Sequence, residues 1–381
     1  MVEAAPTRIV VIGGSAGGLD SLIGLIDALP ADFPAAVCVA IHTAPHGRSM
    51  LPTILGRRAR VDVAVARHGE PLRAGTVRTA PADRHLMVRD GHLAVVTAPR
   101  ENGHRPAIDP LFRSAARTFR GGCISIVLSG ALDDGSAGTV AVRFRGGTTI
   151  AQDPADALFP DMPANAIKTE CVDYIVPASE IAELLDGLVR APAVHLVPDD
   201  VARQASVGDP VDPVDSGIGG DGAGFGGDER TRREAAALDL QLAENMPHPA
   251  PPGYPSEFSC PACGGVLFEQ AGPVVQYLCR VGHRYSPQTL EAGQLETLEE
   301  ALWTALRALE ERAALSERVA DRAAQRGDSV SEDRFRERQA DDLEHADSIR
   351  SVLRAVLPAL EPDVSDGEHS VDDAGTIDRP A

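Results

Sequence analysis

A hydrophobic run near the N-terminus enters a glycine-rich turn, IVVIGGSAGGLDSL, and sets Ser15 between Gly13-Gly14 and Ala16-Gly17-Gly18. Strand, turn and helix around a hydroxyl allow more than one chemistry. A dinucleotide-binding turn needs G-x-G-x-x-G, whose middle glycine lets a pyrophosphate approach the backbone. Aligning Gly13 and Gly18 with that pattern puts Ser15 where the middle glycine belongs. A nucleophile turn instead exposes the serine at the carboxyl end of a sheet, with N–H groups of the helix start facing a developing oxyanion. A turn that merely caps the helix is the remaining possibility. A serine nucleophile needs a base and an orienting acid. The run AVCVAIHTAPHG ends in His42, and ISIVLSGALDDGSAG ends in Asp133-Asp134-Gly135. Paired acids before a glycine also occur in ordinary turns and metal sites, and spacing alone does not choose. Ser, His and Asp after three separate strands point to an acyl-transfer triad.

A second constellation lies far downstream. Cys260-Pro-Ala-Cys263 is followed, after fifteen residues, by Cys279-Arg-Val-Gly-His283. Three thiolates and an imidazole at this spacing suit tetrahedral zinc, and four ligands leave no open position, so the metal expected is structural. An unmetallated segment is the alternative. Cys38, Cys123 and Cys171 stand singly in or beside apolar runs and read as buried small hydrophobes.

The elements that must hold these residues differ between the two halves of the chain. Strand-like runs at Arg8–Gly13, Ala36–Ile41, Gly122–Leu128, Thr148–Ala151 and Tyr174–Val176 alternate with helical patterns. This predicts an α/β fold, a doubly wound and mostly parallel sheet. Between Val61 and Thr97 the runs shorten, and Asp90-Gly91 predicts an antiparallel hairpin inserted there. The Cys/His segment predicts a small zinc ribbon. After it, Leu295, Leu298, Leu302, Leu306 and Leu309 form one apolar stripe, and Leu343, Ala346, Ile349, Leu353 and Val356 form another. With a turn near Gly327–Ser331 they predict an αα-hairpin, with Trp303 in its core.

Charge divides at the same place. Of 381 residues carrying a net charge of −20, the first 192 hold 19 basic and 20 acidic side chains, and the remainder 17 and 36. The domains expected are a catalytic unit at 1–192, a flexible Gly/Pro-rich acidic linker at 193–255, the ribbon at 256–290, the hairpin at 291–360 and a disordered tail at 361–381. The absence of a basic excess argues against nucleic acid. No apolar run reaches the ~18 residues of a membrane span, and no secretory signal is visible, so the expected location is the cytoplasm.

Several ordered blocks resemble the catalytic domain of CheB-type chemotaxis protein-glutamate methylesterases. They are IGGSAGG, the HTAP beginning at His42, APADRHL (80–86), HRPAIDPLF (104–112), LSGALDDGSAG (128–138) and AQDPADALFPDMPANAI (151–167), spanning about Arg8–Val189. The resemblance implies hydrolysis of glutamyl methyl esters on chemoreceptor-like proteins, with some members deamidating receptor glutamines. It places the family's triad on Ser15, His42 and Asp134, with Asp134 chosen because it immediately precedes the motif glycine. It implies oxyanion donors around Ser15–Gly17, Ala16 and Gly17 among them, and cleft residues His104, Arg105 and Asp109, and it requires no cofactor for catalysis. Two positions depart from the family: Gly130-Ala131-Leu132 replaces a usual Gly-Met-Gly, and Ala16 replaces a usual Thr. With Ser15 so near the start, the family's N-terminal receiver domain is not expected, and a separate regulator would take its place. Two alternatives stay open: a deamidase or other carboxylesterase using the same triad, and a signalling scaffold with a vestigial site.

Overall fold

A computed structural model describes residues 6–43, 50–191, 253–270 and 272–356. Most of the expected linker and all of the expected tail, together with part of the block after His42, lie outside these residues. The described chain divides into two compact units, one ending at Gly293 and one beginning at Gln294.

The first unit is built on a seven-stranded parallel sheet. Its strands are β1 (Ile9–Gly14), β2 (Ala36–Ile41), β3 (Asp62–Val65), β4 (Thr76–Thr79), β7 (Cys123–Val127), β8 (Thr148–Gln152) and β9 (Tyr174–Val176). They lie in the order β3-β4-β2-β1-β7-β8-β9. Every residue of β1, β2 and β7 is buried, because helices cover both faces and leave neither alternate set of side chains in water. Val10 and Ile12 point into one core with Leu22, Leu25 and Ile26 of α1 (Gly18–Ala28) and Ile181 and Leu185 of α6 (Ala178–Arg190). Ile9 and Val11 point into the other, with Ile108, Leu111 and Phe112 of α3 (Ile108–Phe119). Cys38 and Cys123 are buried as expected and Cys171 is half-buried.

The expected hairpin is β5 (His85–Arg89) with β6 (His92–Val96), antiparallel about Asp90-Gly91. The other short runs of that region, β3 and β4, join the parallel sheet at its edge. The edge strand β3 has no buried residue, and β4 beside it alternates half-buried and buried side chains. The remaining helices of this half are α2 (Leu51–Leu55), α4 (Ser136–Phe144) and α5 (Asp161–Lys168).

The Cys/His segment forms a four-stranded antiparallel sheet of β10 (Tyr254–Ser259), β11 (Val266–Gln270), β12 (Gln276–Cys279) and β13 (Arg284–Tyr285). Its core is only Cys260, Leu267, Cys279, Tyr285 and Leu290 with Tyr277 against them, too little apolar surface for independent stability. Helix α7 (Pro287–Gln325) follows directly.

In the second unit, α7 and α8 (Ser329–Val356) are joined by a turn at Gly327, whose φ of +73° suits glycine. Leu306, Ala346 and Leu353 are buried between them, with Leu302, Leu309 and Ile349 packed alongside. Leu298, Leu343 and Trp303 are 48%, 43% and 48% exposed. The helical period placed all three in the seam, but two helices bury only the narrow stripe facing each other, and these side chains fall at its margin.

Candidate active site

Three parallel strands end side by side and deliver three loops to one place. β1 hands over to Ser15, β2 to His42, and β7 to the loop carrying Asp133 and Asp134. Ligand crevices form at such carboxyl ends because the chain leaves the sheet there on diverging paths. The joints are tight. His42 N–H donates to Gly14 O at 3.2 Å, Ser15 N–H to Ser129 O at 2.9 Å, and Leu128 N–H to Gly13 O at 2.8 Å. Gly17 adopts φ +70°, and a Cβ there would lie 2.8 Å from Ser129 Oγ. A Cβ on Gly13 would meet Ile108 Cγ2 at 2.3 Å, so helix α3 can press on the strand end only because no side chain intervenes.

Ser15 Oγ lies 3.1 Å from His42 Nδ1, and His42 Nε2 lies 2.7 Å from Asp134 Oδ2. A carboxylate only accepts, so the proton between His42 and Asp134 sits on Nε2. Nδ1 is then the bare nitrogen, facing the serine hydroxyl. The His42 side chain is 7% exposed and that of Asp134 2%, so water does little to weaken the pair. Burial alone would raise the Asp134 carboxyl. The hydrogen bond and charge of His42, the Ile108 N–H at 2.7 Å and the Asn102 amide at 3.0 Å outweigh it and hold Asp134 well below the usual range.

Among the other residues singled out in the sequence, His104 stacks on His42, with ring centroids 3.7 Å apart and 15° between planes. Burial, and after it the charge of His42, pushes the His104 imidazole down to about 4. The stacked ring is thus neutral at ordinary pH and adds no charge against a protonated His42. Arg105 is turned aside: its Nη2 bonds Asp83 Oδ1 at 2.7 Å and its Nη1 bonds Ala98 O at 2.8 Å. Asp109 is 2% exposed and lies beneath Asp134, accepting from Gly135 and Gly138 N–H at 3.1 and 2.6 Å. Burial and then the Asp134 charge push Asp109 up to about 8. It supports the loop floor and does not line a cleft. The Ser15 amide is committed to Ser129, whereas the amides of Ala16 and Gly17 have no acceptor among the described residues. Leu132 takes φ +62°, a region costly for a side-chain-bearing residue.

Sequence reasoning missed two residues. Asn102 is buried between Asp134 and Asp109, and His85 props the loop before α3 by accepting from Ala107 N–H at 3.3 Å and bonding Pro99 O at 3.0 Å. His85 stands inside the APADRHL block, and Asn102 two residues before His104, so their only signal was proximity to a motif.

Cys260, Cys263, Cys279 and His283 present ligand atoms within 4.8 Å of one another and could hold a metal ion. Cys263 Sγ and Cys279 Sγ are 3.7 Å apart, and His283 Nδ1 lies 3.6 and 3.5 Å from Cys260 and Cys279 Sγ. A tetrahedron with metal–S of ~2.3 Å and metal–N of ~2.05 Å has edges of about 3.8 and 3.5 Å. Those three edges match a zinc-sized tetrahedron, and the remaining pairs lie within 4.8 Å. Among the described residues no helix is long and apolar enough to cross a membrane.

Comparison with known proteins identifies relatives of the N-terminal half. Residues 10–185 match the family described as CheB methylesterase. A protein-glutamate methylesterase/protein-glutamine glutaminase of Anaeromyxobacter dehalogenans is 39% identical over 193 residues, covering 49% of this chain and 57% of that protein. One from Symbiobacterium thermophilum is 34% identical over 190 residues, covering 50% and 52%. The chain thus spans a little over half the length of these relatives. The crystal structure of the Thermotoga maritima CheB methylesterase catalytic domain is 35% identical, with 48% of this chain and 98% of that one covered and a TM-score of 0.46.

Proposed function

Residues 10–185 constitute a domain of the CheB methylesterase family, and on that premise we propose that the chain is a serine hydrolase demethylating glutamyl methyl esters of chemoreceptor-like signalling proteins. The observation that carries the reading is the hydrogen-bonded chain from Ser15 Oγ through His42 to buried Asp134, at 3.1 and 2.7 Å. Ser15 attacks the side-chain ester carbonyl while His42 Nδ1 takes its proton. Asp134 holds the imidazole with Nδ1 toward the serine and stabilises the imidazolium that forms. The amides of Ala16 and Gly17 receive the oxyanion. Methanol departs with the proton from Nδ1, and water then releases the acyl group as a glutamate carboxylate. No cofactor enters these steps.

The same groups can expel ammonia from a glutamine side chain, and the relatives' names include protein-glutamine glutaminase. Deamidation is therefore the second reading. The Cys/His cluster we assign to structural zinc, on its donor set and edge lengths. The expected division into catalytic unit, linker, ribbon, hairpin and tail remains the proposed organisation, with the ribbon's first strand starting at Tyr254. A cytoplasmic location and control by a separate regulator complete the proposal.

The test is methanol release from a peptide bearing a glutamate γ-methyl ester, by the full chain and by Ser15→Ala. Loss of all but background turnover in Ser15→Ala is expected. Retention of full activity would sink the assignment.

A further inference from the structure

One buried amide joins the Cys/His module to the triad. Asn102 is 3% exposed, and its side chain is read at both ends. Its Nδ2 donates to Asp134 Oδ1 at 3.0 Å and to Asp109 Oδ2 at 3.1 Å. Its Oδ1 accepts from the Ser286 N–H and from the Thr289 hydroxyl, both at 3.1 Å. Turned over, the amide would set its oxygen against the Asp134 carboxylate and its NH2 against two donors. Only the observed orientation satisfies Asp134, Ser286 and Thr289 together.

The donors come from the start of α7, and their own geometry is fixed. Ser286 Oγ accepts from Thr289 N–H at 3.1 Å, and Thr289 Oγ1 accepts from Ser286 N–H at 2.9 Å, a reciprocal cap on the helix start. The Ser286 hydroxyl donates onward to Asp133 Oδ1 at 2.6 Å. The backbone repeats the connection. Asn102 N–H donates to Arg284 O at 2.7 Å, and Arg284 N–H to Arg100 O at 3.3 Å. Arg284, 1% exposed, directly follows His283 of the Cys/His cluster.

We infer that Asn102 is a positioning residue for Asp134 and that Ser286 and Thr289, supplied by the C-terminal module, fix its orientation, so that this module tunes the catalytic centre of the N-terminal half. The inference rests on the hydrolase reading of Ser15, His42 and Asp134. Asp134 keeps three other donors from the N-terminal half: His42 Nε2, Ile108 N–H and Asp109 N–H. Loss of the Asn102 orientation therefore loosens the carboxylate and lowers turnover without abolishing it. Substrate binding is left alone, because neither Ser286 nor Thr289 bonds to Ser15 or His42.

Three full-length proteins test this with a peptide carrying a glutamate γ-methyl ester: wild type, Thr289→Val and Thr289→Ser. Valine keeps the shape and removes the hydroxyl; serine keeps the hydroxyl and removes the methyl. For Thr289→Val, kcat is expected to fall about tenfold with KM within about twofold, the size of one lost buried hydrogen bond. Thr289→Ser is expected to stay within about twofold of wild type on both. Thermal unfolding of each protein, followed by circular dichroism, accompanies the kinetics. Equal losses in the two variants would mean a packing role and overturn the inference, as would a Thr289→Val enzyme with wild-type kcat. Should the valine protein not fold, Thr289→Ala against Thr289→Ser makes the same comparison, the two differing only in the hydroxyl. Ser15→Ala in the same assay separates the levels of argument. If it is active, the hydrolase reading falls. If it is inactive while Thr289→Val matches wild type, only the positioning role falls.

Discussion

Replacing Asp134 by Asn removes one negative charge and changes one atom, and the structure makes its consequence specific. Asp134 Oδ2 receives His42 Nε2 at 2.7 Å and Ile108 N–H at 2.7 Å. Oδ1 receives Asn102 Nδ2 at 3.0 Å and Asp109 N–H at 3.1 Å. An asparagine has one acceptor for these two pairs of donors. If its NH2 takes the Oδ2 side, His42 must turn Nε2 into an acceptor, and Nδ1 then carries the proton toward Ser15, while the Ile108 N–H loses its acceptor at about 1–3 kcal/mol of stability. The base is lost, and kcat should fall by about 10³–10⁴, or about 4–5.5 kcal/mol of barrier. If its NH2 takes the Oδ1 side, two buried donors lose their acceptor, at about 1–3 kcal/mol each. That cost is about 2–6 kcal/mol from a folding free energy on the order of 5–15 kcal/mol. Steady-state methanol release and thermal unfolding of the same preparation read the two outcomes. The charge adds a pH signature. The folded carboxyl lies below its unfolded value, so its stabilisation is present above about pH 4 and disappears as pH falls further. Asp134→Asn should lack that loss. A variant with kcat within tenfold of wild type and unchanged stability would refute the reasoning.

Other expectations follow from individual contacts. Asp133 is pushed up to about 6, chiefly by burial and against the Ser286 hydrogen bond. The folded state then binds the extra proton, and stability should decline as pH rises from about 4 to 6, by about 3 kcal/mol at most. Asp133→Asn, which keeps a carbonyl for Ser286, should reduce that slope in unfolding measured across pH, leaving the part that Asp109 contributes with the same sign; an unchanged slope would assign it wholly to another group. Gly17→Ala combines φ +70° with a Cβ 2.8 Å from Ser129 Oγ, and should cost at least about 1–2 kcal/mol in denaturant unfolding together with most of the activity. Elemental analysis of the full chain should find one zinc, and Cys263→Ser should lower that stoichiometry; a metal-free protein with unchanged melting would exclude the structural role.

Much of this protein is legible in local pattern. The strand ends bearing Ser15, His42 and Asp134 show as mostly apolar runs stopping at glycine or a polar residue, because a strand buried on both faces favours apolar side chains until it leaves the sheet, with the small buried Ser125 the exception in β7. The hairpin shows through Asp90-Gly91, where Asp90 takes φ +48° and Gly91 φ +75°. Period alone overreached at Leu298, Leu343 and Trp303, because it marks a helix face but not how much of that face a partner covers.

What the sequence by itself determined is the chemistry available: a serine, an imidazole and a carboxylate at three strand ends, and a Cys3His donor set whose spacing suits a tetrahedral ion. Tertiary structure alone decided how those groups are used. It selected Nδ1 as the nitrogen facing Ser15, turned Arg105 away onto Asp83, and buried Asp109 under Asp134. It also set Ser286 against Asn102 across 184 residues of chain. Hydrogen bonds between residues so distant in the chain leave no periodicity in the sequence. Asn, Ser and Thr are ordinary surface residues until folding brings their donors and acceptors within about 3 Å and removes the water between them.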